Sequence, residues 1–381
     1  MEKKTTRISV WEAACIITGY GIGGGVLAMP YLTEQNGIVA ATLLLIAAFA
    51  VSLVLHLMIA DTVMKCGDGS QIVAVFSRFL FRGRFKSLLT AVFFVLMAVV
   101  LCSNLAAYIA GAAELLVEML PVSPFVAKLI FYVLAASVVL FGLKAVAVSE
   151  KIMVALIFAL VAVLAVSSFT AELQPLPLAA GSGKAMLAYF GMAMLAFAAF
   201  FSIPQAVEGL GGDEKKIKKA VFLGLGNNCV LLVVISFCAL LASKEVTEVA
   251  MTGWAAGIGQ WAIYAGGIFT LLAMITTYWS ISLALSGIVK EQTGWGEKLC
   301  WLLATAPSLA LALFNLGGFL DFLELAGGAI AIIVAVLVVP TYRNARKELS
   351  GSILGPIGGN GGQIFVVIGY VLMAVGNLVS L

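Results

Sequence analysis

Long apolar runs separated by short polar segments dominate the hydropathy pattern of the chain. A membrane-spanning helix needs about 20 consecutive apolar residues. We therefore predict an all-α, polytopic membrane protein with eleven transmembrane helices, at about 9–32, 38–64, 87–118, 125–142, 145–168, 185–209, 217–242, 260–289, 298–315, 321–341 and 363–381. The stretch GSQIVAVFSRFLFRG, within residues 68–86, is amphipathic and is typical of a helix at the membrane surface.

Glycines interrupt the first predicted span. Its middle reads Gly19-Tyr20-Gly21-Ile22-Gly23-Gly24-Gly25, and each glycine in a helix interior costs about 1 kcal/mol relative to alanine. We predict that the helix breaks there. Unpaired backbone at membrane depth is tolerated where it is buried in protein or lines a cavity, and it can bind a zwitterion and a cation. The alternative is close helix packing through small residues.

A second interruption is predicted in the sixth span, at Phe201-Ser202-Ile203-Pro204, because proline removes a backbone donor. A simple kink is the alternative. Broken segments at corresponding positions of two halves point to a transporter built from an inverted repeat. We predict one transmembrane domain over residues 1–381, with five-helix repeats at about 9–168 and 185–341 and an extra helix at 363–381.

The distribution of basic residues predicts the orientation. With the N-terminus in the cytoplasm, only Lys128, Lys184 and Lys244 of the 22 lysines and arginines fall outside. Cytoplasmic loops of membrane proteins carry such an excess of lysine and arginine. We expect a multi-pass protein of the inner or plasma membrane, with a cytoplasmic N-terminus and an external C-terminus.

The composition agrees with a membrane protein, since 62% of the residues are hydrophobic and 11% are charged. The net charge of +3 suggests no nucleic acid partner, and the six cysteines form no CxxC pair. We expect no cofactor, no metal beyond a possible Na⁺, and no obligate protein partner. The expected partners are the lipid bilayer and a small molecule.

Other classes of membrane protein lack their signatures. No span carries the polar stripe of a channel, no catalytic cluster such as HExxH occurs, and no GxxxxGK[ST] phosphate loop indicates a primary pump. A secondary transporter is favoured over an enzyme. A non-transporting sensor of amino acids on the same fold stays open, as does a proton-coupled carrier of another small zwitterion.

Four motifs carry a resemblance to a known family. They read TGYGIGGGVLAMPY, AFAAFFSIPQAVEGLGGDEKKIKKAVFLG, TTYWSISLALSG and FLDFLELAGGAIAIIVAVLVVP, and they follow one another in the expected order. Together they resemble the amino acid/auxin permease family of the amino acid–polyamine–cation group, near the bacterial permeases for aromatic and hydroxy amino acids. The resemblance implies a five-plus-five inverted-repeat fold and transport coupled to Na⁺ or H⁺.

The predicted substrate site lies at the two breaks. The N–H groups of Gly23, Gly24 and Gly25 would bind an α-carboxylate, because a helix begins there with its positive dipole end. Carbonyls at Gly19, Tyr20, Ala199 and Phe200 would accept the α-ammonium. The remaining lining is uncharged and predicts a neutral substrate that is small, aliphatic or aromatic; it comprises Tyr20, Asn104, Tyr108, Phe200, Phe201 and Ser202. For Asn104, an interhelical hydrogen bond is the alternative.

A cation site is predicted between spans one and eight, and Na⁺ is favoured over H⁺. Oxygen ligands suit a hard cation, and the candidates are the Thr18, Gly21 and Ala273 carbonyls with the Thr276 and Thr277 hydroxyls. The alternative is that the two hydroxyls bond back to their own helix. Some proton-coupled relatives of this fold carry a lysine in span five, and the matching residue here is Ile157, with Lys151 nearer the cytoplasm.

The remaining ionisable residues in or near the spans are interpreted by position. His56 is expected to be a packing histidine rather than a proton relay. Asp61, Glu150, Glu114 and Glu118 are expected at interfaces or gates. Glu12 and Glu208 are candidate gate residues, and Glu324 is a deeper candidate without a partner.

Overall fold

The computed structural model describes residues 7–23, 25–67, 69–247, 250–314, 316–317, 333–349 and 351–380. All regular elements in these ranges are helical, which confirms the all-α class. Gly24, Glu324 and most of the predicted tenth span lie outside the described residues, so the structure does not test them.

The helices are numbered here in chain order. They are α1 (Val10–Gly21), α2 (Gly25–Asn36), α3 (Ile38–Cys66), α4 (Ile72–Phe79), α5 (Lys86–Met119), α6 (Pro124–Val139), α7 (Gly142–Ser168), α8 (Gly183–Ala196), α9 (Ile203–Gly209), α10 (Glu214–Ala242), α11 (Ala250–Ile258), α12 (Gln260–Thr293), α13 (Glu297–Leu313), α14 (Val339–Glu348) and α15 (Asn360–Ser380). Short 3-10 turns lie at Phe200–Ser202 and Gly355–Gly358, and a π-helical turn at Val334–Val338 precedes α14.

Seven helical segments of the described chain are long and apolar enough to cross a membrane. They are Ile38–Cys66, Lys86–Met119, Gly142–Ser168, Gly183–Gly209, Glu214–Ala242, Gln260–Thr293 and Asn360–Asn377. Helices α6 and α13, at the fourth and ninth predicted spans, are shorter, with 16 and 17 residues. The chain is therefore a polytopic helical protein, and the count of eleven spans stays a prediction.

Helix α1 lies at the centre of the bundle, where it packs against α7, α9, α10 and α12. Residues 12–21 of α1 are all buried, which explains why its polar positions must find partners inside the protein. On the periphery, α5 and α7 expose valines such as Val95 (58%) and Val166 (71%). Such outward apolar side chains suit a lipid environment.

Two caps define where central helices begin. At the start of α1, Ser9 Oγ accepts a hydrogen bond from Glu12 N (3.1 Å), and the Ser9 N–H donates to Glu12 Oε2 (2.8 Å). This reciprocal capping box satisfies two backbone donors. At the start of α10, Asp213 Oδ1 accepts from the backbone N–H groups of Lys216 and Lys215 (3.1 Å each). The Lys216 amide holds the pKa of Asp213 below its usual range.

Helix α4 matches the predicted amphipathic stretch but is shorter. Its apolar side chains are buried against α3, α5, α12 and α14. Glu291 accepts from Gln71 N at the start of α4 (3.2 Å), and Arg78 Nη1 donates to Cys66 O (2.6 Å). Protein contacts on several sides therefore hold this segment in place.

Candidate functional site

The first interruption lies where the glycines predict it. Helix α1 ends at Gly21, the Ile22 N–H donates to Thr18 O (3.0 Å), and α2 begins at Gly25. A Cβ added to Gly23 would lie 2.6 Å from Tyr108 Oη and 3.5 Å from Thr277 Oγ1. A Cβ added to Gly25 would lie 3.1 Å from Ala196 backbone atoms. The helix therefore breaks as predicted, and the close packing given as the alternative occurs at the same glycines.

The second interruption begins before the predicted Phe201–Pro204 stretch, and it includes Ala199 and Phe200, whose carbonyls were predicted to be exposed at this break. Helix α8 ends at Ala196, residues 197–199 are not helical, and Phe200–Ser202 form a 3-10 turn before α9. Pro204 lies in the first turn of α9, where a missing N–H breaks no helical hydrogen bond. Of the predicted stretch, Phe201 and Ser202 lie in the interruption, whereas Pro204 lies in the first turn of the second half-helix and does not kink a continuous one.

A histidine from α3 holds the second interruption open. The Ala199 N–H donates to His56 Nε2 (3.0 Å), and His56 Nδ1 lies 2.6 Å from Ser52 O, to which it donates. The His56 ring also stacks on Phe200, with 5.1 Å between ring centroids. Both ring nitrogens are thus engaged in a neutral tautomer. The expected packing role of His56 agrees with these contacts, but its hold on the broken helix was not foreseen.

Ser202 closes the same turn from within. Its hydroxyl donates to Ala199 O (2.6 Å), and its backbone N–H lies 3.2 Å from the same oxygen. The Ala199 carbonyl, a predicted acceptor for an ammonium group, therefore already accepts from Ser202 in this conformation.

The predicted side-chain lining is buried in the protein interior. The Tyr20 and Phe201 rings lie 6.4 Å apart across the two interruptions. Tyr108 lies beside Gly23, and Asn104 is one turn earlier on α5. Within the described part of the chain, Tyr20 Oη and Asn104 Oδ1 are buried without hydrogen-bond partners. A buried polar group without a partner needs an explanation, and a bound molecule is one.

The predicted cation ligands lie where α12 meets α1, but their hydroxyls are already engaged. Thr277 Oγ1 lies 3.0 Å from Gly19 O and 2.9 Å from Ala273 O. Thr276 Oγ1 donates to Ala273 O (2.9 Å). Both hydroxyls thus bond back to α12, as in the alternative interpretation, and Thr277 also contacts α1. The assignment of a cation to these residues and to Thr18 and Gly21 stays a prediction.

Two asparagines on α10 were missed as neighbours of the first break. Asn227 Nδ2 donates to Thr18 Oγ1 (3.1 Å), which also lies 3.2 Å from Gly224 O. The Asn228 amide lies directly against Gly21, and both of its polar atoms lack partners among the described residues. An Asn-Asn pair inside an apolar span was the available signal in the sequence.

Two carboxyls expected at interfaces are buried instead. Glu150 is 0% exposed, accepts from Ser280 Oγ through Oε1 (2.9 Å), and has no partner for Oε2. Asp61 is 2% exposed and lies 3.0 Å from Lys65 Nζ, and its Oδ1 accepts from the backbone N–H of Ile353. Their positions near span ends did not indicate this burial, because neighbouring helices cover both residues.

Ion pairs join the start of α1 to α7. Glu12 Oε2 lies 2.9 Å from Lys144 Nζ, and Glu12 Oε1 lies 3.5 Å from Lys151 Nζ. Nearby, the Ile8 N–H donates to Gly209 O (2.9 Å) and ties the chain before α1 to the end of α9. These contacts join α1 to α7 and α9 at this end of the bundle, and the role of Glu12 as a gate residue stays a prediction. Ile157, at the predicted place of a span-five lysine, is fully buried.

Comparison with known proteins identifies the family. The sequence profile of the tryptophan/tyrosine permease family matches residues 6–377. The chain belongs to that family. This confirms the resemblance to bacterial aromatic amino acid permeases, whereas the wider grouping with the amino acid/auxin permeases stays a prediction.

Two further comparisons agree with that membership. The chain is 25% identical to "Tyrosine-specific transport system 1" of Haemophilus influenzae, over 93% of this chain and 92% of that protein. The fold is similar to that of Mhp1, a nucleobase-cation-symport-1 family transporter, in a closed conformation with bromovinylhydantoin bound. That match has a TM-score of 0.65 at 12% identity and covers 98% of this chain and 92% of the other. As a member of this family, the chain is a multi-pass amino acid transporter and not an enzyme.

Proposed function

We propose that this permease is a secondary active transporter that imports a neutral amino acid, aromatic ones above all, by alternating access. The observation that carries the proposal is the pair of helix interruptions that approach each other where Gly25 meets Ala196. The family description and the relative from Haemophilus influenzae favour tyrosine or tryptophan as the substrate.

The proposed topology has eleven spans, five in each inverted repeat and one at the C-terminal end. The N-terminus is cytoplasmic and the C-terminus lies outside the inner membrane, because the basic residues fall largely on one side. The ion pairs between Glu12 and α7 then lie at the cytoplasmic end. Because these ion pairs are formed in this structure, they support a conformation in which the cytoplasmic gate is shut.

The proposed substrate pose follows the backbone polarity of the first break. The first N–H groups of a helix lack partners one turn earlier in the chain, and the N-terminal end of α2 is the positive end of its dipole; both features favour the α-carboxylate. The C-terminal end of α1 presents carbonyls, which favour the α-ammonium. Gly19 O, one of these, lies next to the hydroxyl of Thr277.

The side chain of the substrate would lie among the aromatic rings between the breaks. Tyr20 and Phe201 offer stacking surfaces, and the unpartnered Tyr20 Oη and Asn104 Oδ1 offer partners for a phenol or indole. The predicted lining residues are uncharged, so a charged substrate side chain would lose hydration without gaining an ion pair there.

Uptake into liposomes tests the proposal. Purified protein should accumulate labelled tyrosine or tryptophan above equilibrium when an inward Na⁺ or H⁺ gradient is imposed. Replacing Na⁺ with choline at fixed pH identifies the coupling ion. Binding of amino acid without any gradient-driven uptake would instead indicate the non-transporting sensor.

Competition and one substitution locate the site. Unlabelled alanine, leucine or tryptophan should compete more strongly than lysine or glutamate. Gly24→Val should abolish substrate binding in a protein that still purifies as a folded species. Gly226→Ala is the matched control, because an added Cβ at Gly226 meets open space. Normal binding by Gly24→Val, or equal competition by lysine, would place the site elsewhere.

A further inference from the structure

We propose that Glu150 is a proton-binding residue of the transport cycle, protonated while α1 lies against it and deprotonated when α1 moves away from α7. The inference rests on the proposed transport function and assigns one residue to its coupling ion.

Glu150 is fully buried at the junction of α7 with α1 and α12. Ser280 on α12 donates to Oε1 (2.9 Å). A Cβ added to Gly19 of α1 would lie 2.7 Å from Glu150 Cδ and closer still to Oε2. The backbone of the first half-helix therefore covers the carboxyl group directly, just before that helix breaks.

Glu150 has no counter-charge among the described residues. Glu150 takes part in none of the ion pairs of the described chain, and its Oε2 has no hydrogen-bond partner there. An ionised carboxylate without a partner is strongly disfavoured in an apolar interior, and such a group takes up a proton instead. The neutral acid is the form that fits this conformation.

Titratable groups lie on the helix of Glu150 and on the helices packed against it. On α1 they are Glu12, Cys15, which is next to Glu150, and Tyr20, which follows Gly19. On α7 itself, Lys151 and Lys144 turn to Glu12 and leave Glu150 unpaired. On α6, Lys128 donates to Ala312 O and Tyr132 bonds to Thr305. The lysines of α10 lie at its exposed N-terminal end. On α12, Lys290 pairs with Glu297. Helix α11 has no titratable residue.

The position of Glu150 links its protonation to the movement of α1. Glu12 and Lys144 join α1 to α7 near the ends of both helices, while Gly19 and Glu150 meet about two helical turns deeper. Separation of α1 from α7 would break the ion pairs and admit water to Glu150. The carboxylic acid would then give its proton to that water and become a hydrated carboxylate. Opening of this end is thereby coupled to proton release.

Substitution of Glu150 separates binding from coupling. Glu150→Gln replaces the carboxyl with a neutral group of the same shape, which resembles the protonated acid. In liposomes without Na⁺, we expect this variant to exchange labelled for unlabelled tyrosine but to lose accumulation driven by an inward pH gradient. Glu172→Gln, an exposed glutamate paired with Lys244, is the matched control and should keep both activities.

The uptake of wild type and of Glu150→Gln separates the proton site from the transport function. If the wild type accumulates tyrosine with the pH gradient and Glu150→Gln does so equally, the proton site is wrong while the transport function stands. Wild-type uptake that follows Na⁺ and ignores pH also overturns the proton site alone. If the wild type neither exchanges nor accumulates any amino acid, the proposed function itself fails.

A second measurement covers a variant that fails to fold. Dicyclohexylcarbodiimide reacts with protonated carboxyl groups in apolar surroundings, so it is applied to wild-type proteoliposomes during exchange at acidic and at alkaline pH. Label on the Glu150 peptide that requires acidic pH, together with loss of uptake, supports the proposal. A Glu150 peptide without label under both conditions contradicts it.

Discussion

The interruption between α1 and α2 contains glycine, whereas the interruption between α8 and α9, residues 197–202, contains none. At the first break, neighbours press against positions that lack a side chain: Glu150 lies on Gly19, Asn228 on Gly21, and Tyr108 beside Gly23. These close contacts are possible because glycine has no side chain.

The second break depends on side chains that are present. His56 accepts from Ala199 N, Ser202 donates to Ala199 O, and Phe49 packs edge-on against Phe197 at 5.6 Å. Backbone groups freed from helical bonding thus find partners in α3 and within the turn. Substitutions that add atoms should therefore disrupt the first break, whereas substitutions that remove side-chain atoms should disrupt the second.

Gly21→Val should have the largest effect. The added side chain would meet the Asn228 amide, and its Cβ would lie 3.3 Å from Ala196 O, a backbone atom with little freedom to move. Overpacking of this kind costs about 1–3 kcal/mol or more, and the displaced break is itself the proposed site. We expect a lower melting temperature and no substrate-induced thermal shift. A variant with wild-type substrate binding would show that the first break tolerates added volume.

His56→Leu should have a smaller but clear effect on the second break. The Ala199 N–H would lose its acceptor in a buried position, a change that costs about 1–3 kcal/mol. We expect substrate affinity to fall about tenfold in direct binding measurements, since about 1.4 kcal/mol corresponds to that factor. His56→Gln, which keeps an acceptor, should restore part of it. Unchanged affinity in His56→Leu would mean that the α8–α9 break holds its shape without α3.

The smallest effects should come from two glycines of α10, the helix that supports the first break. A Cβ at Gly224 would lie 2.6 Å from Ile17 Cβ and 2.9 Å from Ala14 O, whereas Gly226 faces open space. Gly224→Ala should lower the melting temperature, and Gly226→Ala should leave it unchanged or raise it by the helix preference of alanine, at most about 1 kcal/mol. Thermal unfolding of both variants measures the difference. Equal shifts would show that α1 does not rest closely on α10.

The same contrast explains which parts of the site could be predicted. Glycine acts through its own backbone, so five glycines within seven residues located the first break from local information. Pro204 was the visible signal for the second break but did not mark where it begins, since α8 already ends at Ala196 and the Ala199 N–H bonds to His56, which is distant in sequence. Sequence order does not reveal which α3 side chain meets which backbone group of the α8–α9 interruption.

The sequence by itself determined the helical class, the membrane environment, the family and the first break, because hydropathy and backbone preference act over a few neighbouring residues. Only the tertiary structure decided that Glu150 is covered and unpaired while Glu12 has two lysine partners. Both glutamates lie near the start of apolar helices and look alike in the sequence. What distinguishes them is the packing of α1, α7 and α12, since burial and charge pairing are properties of the neighbours that the fold brings together.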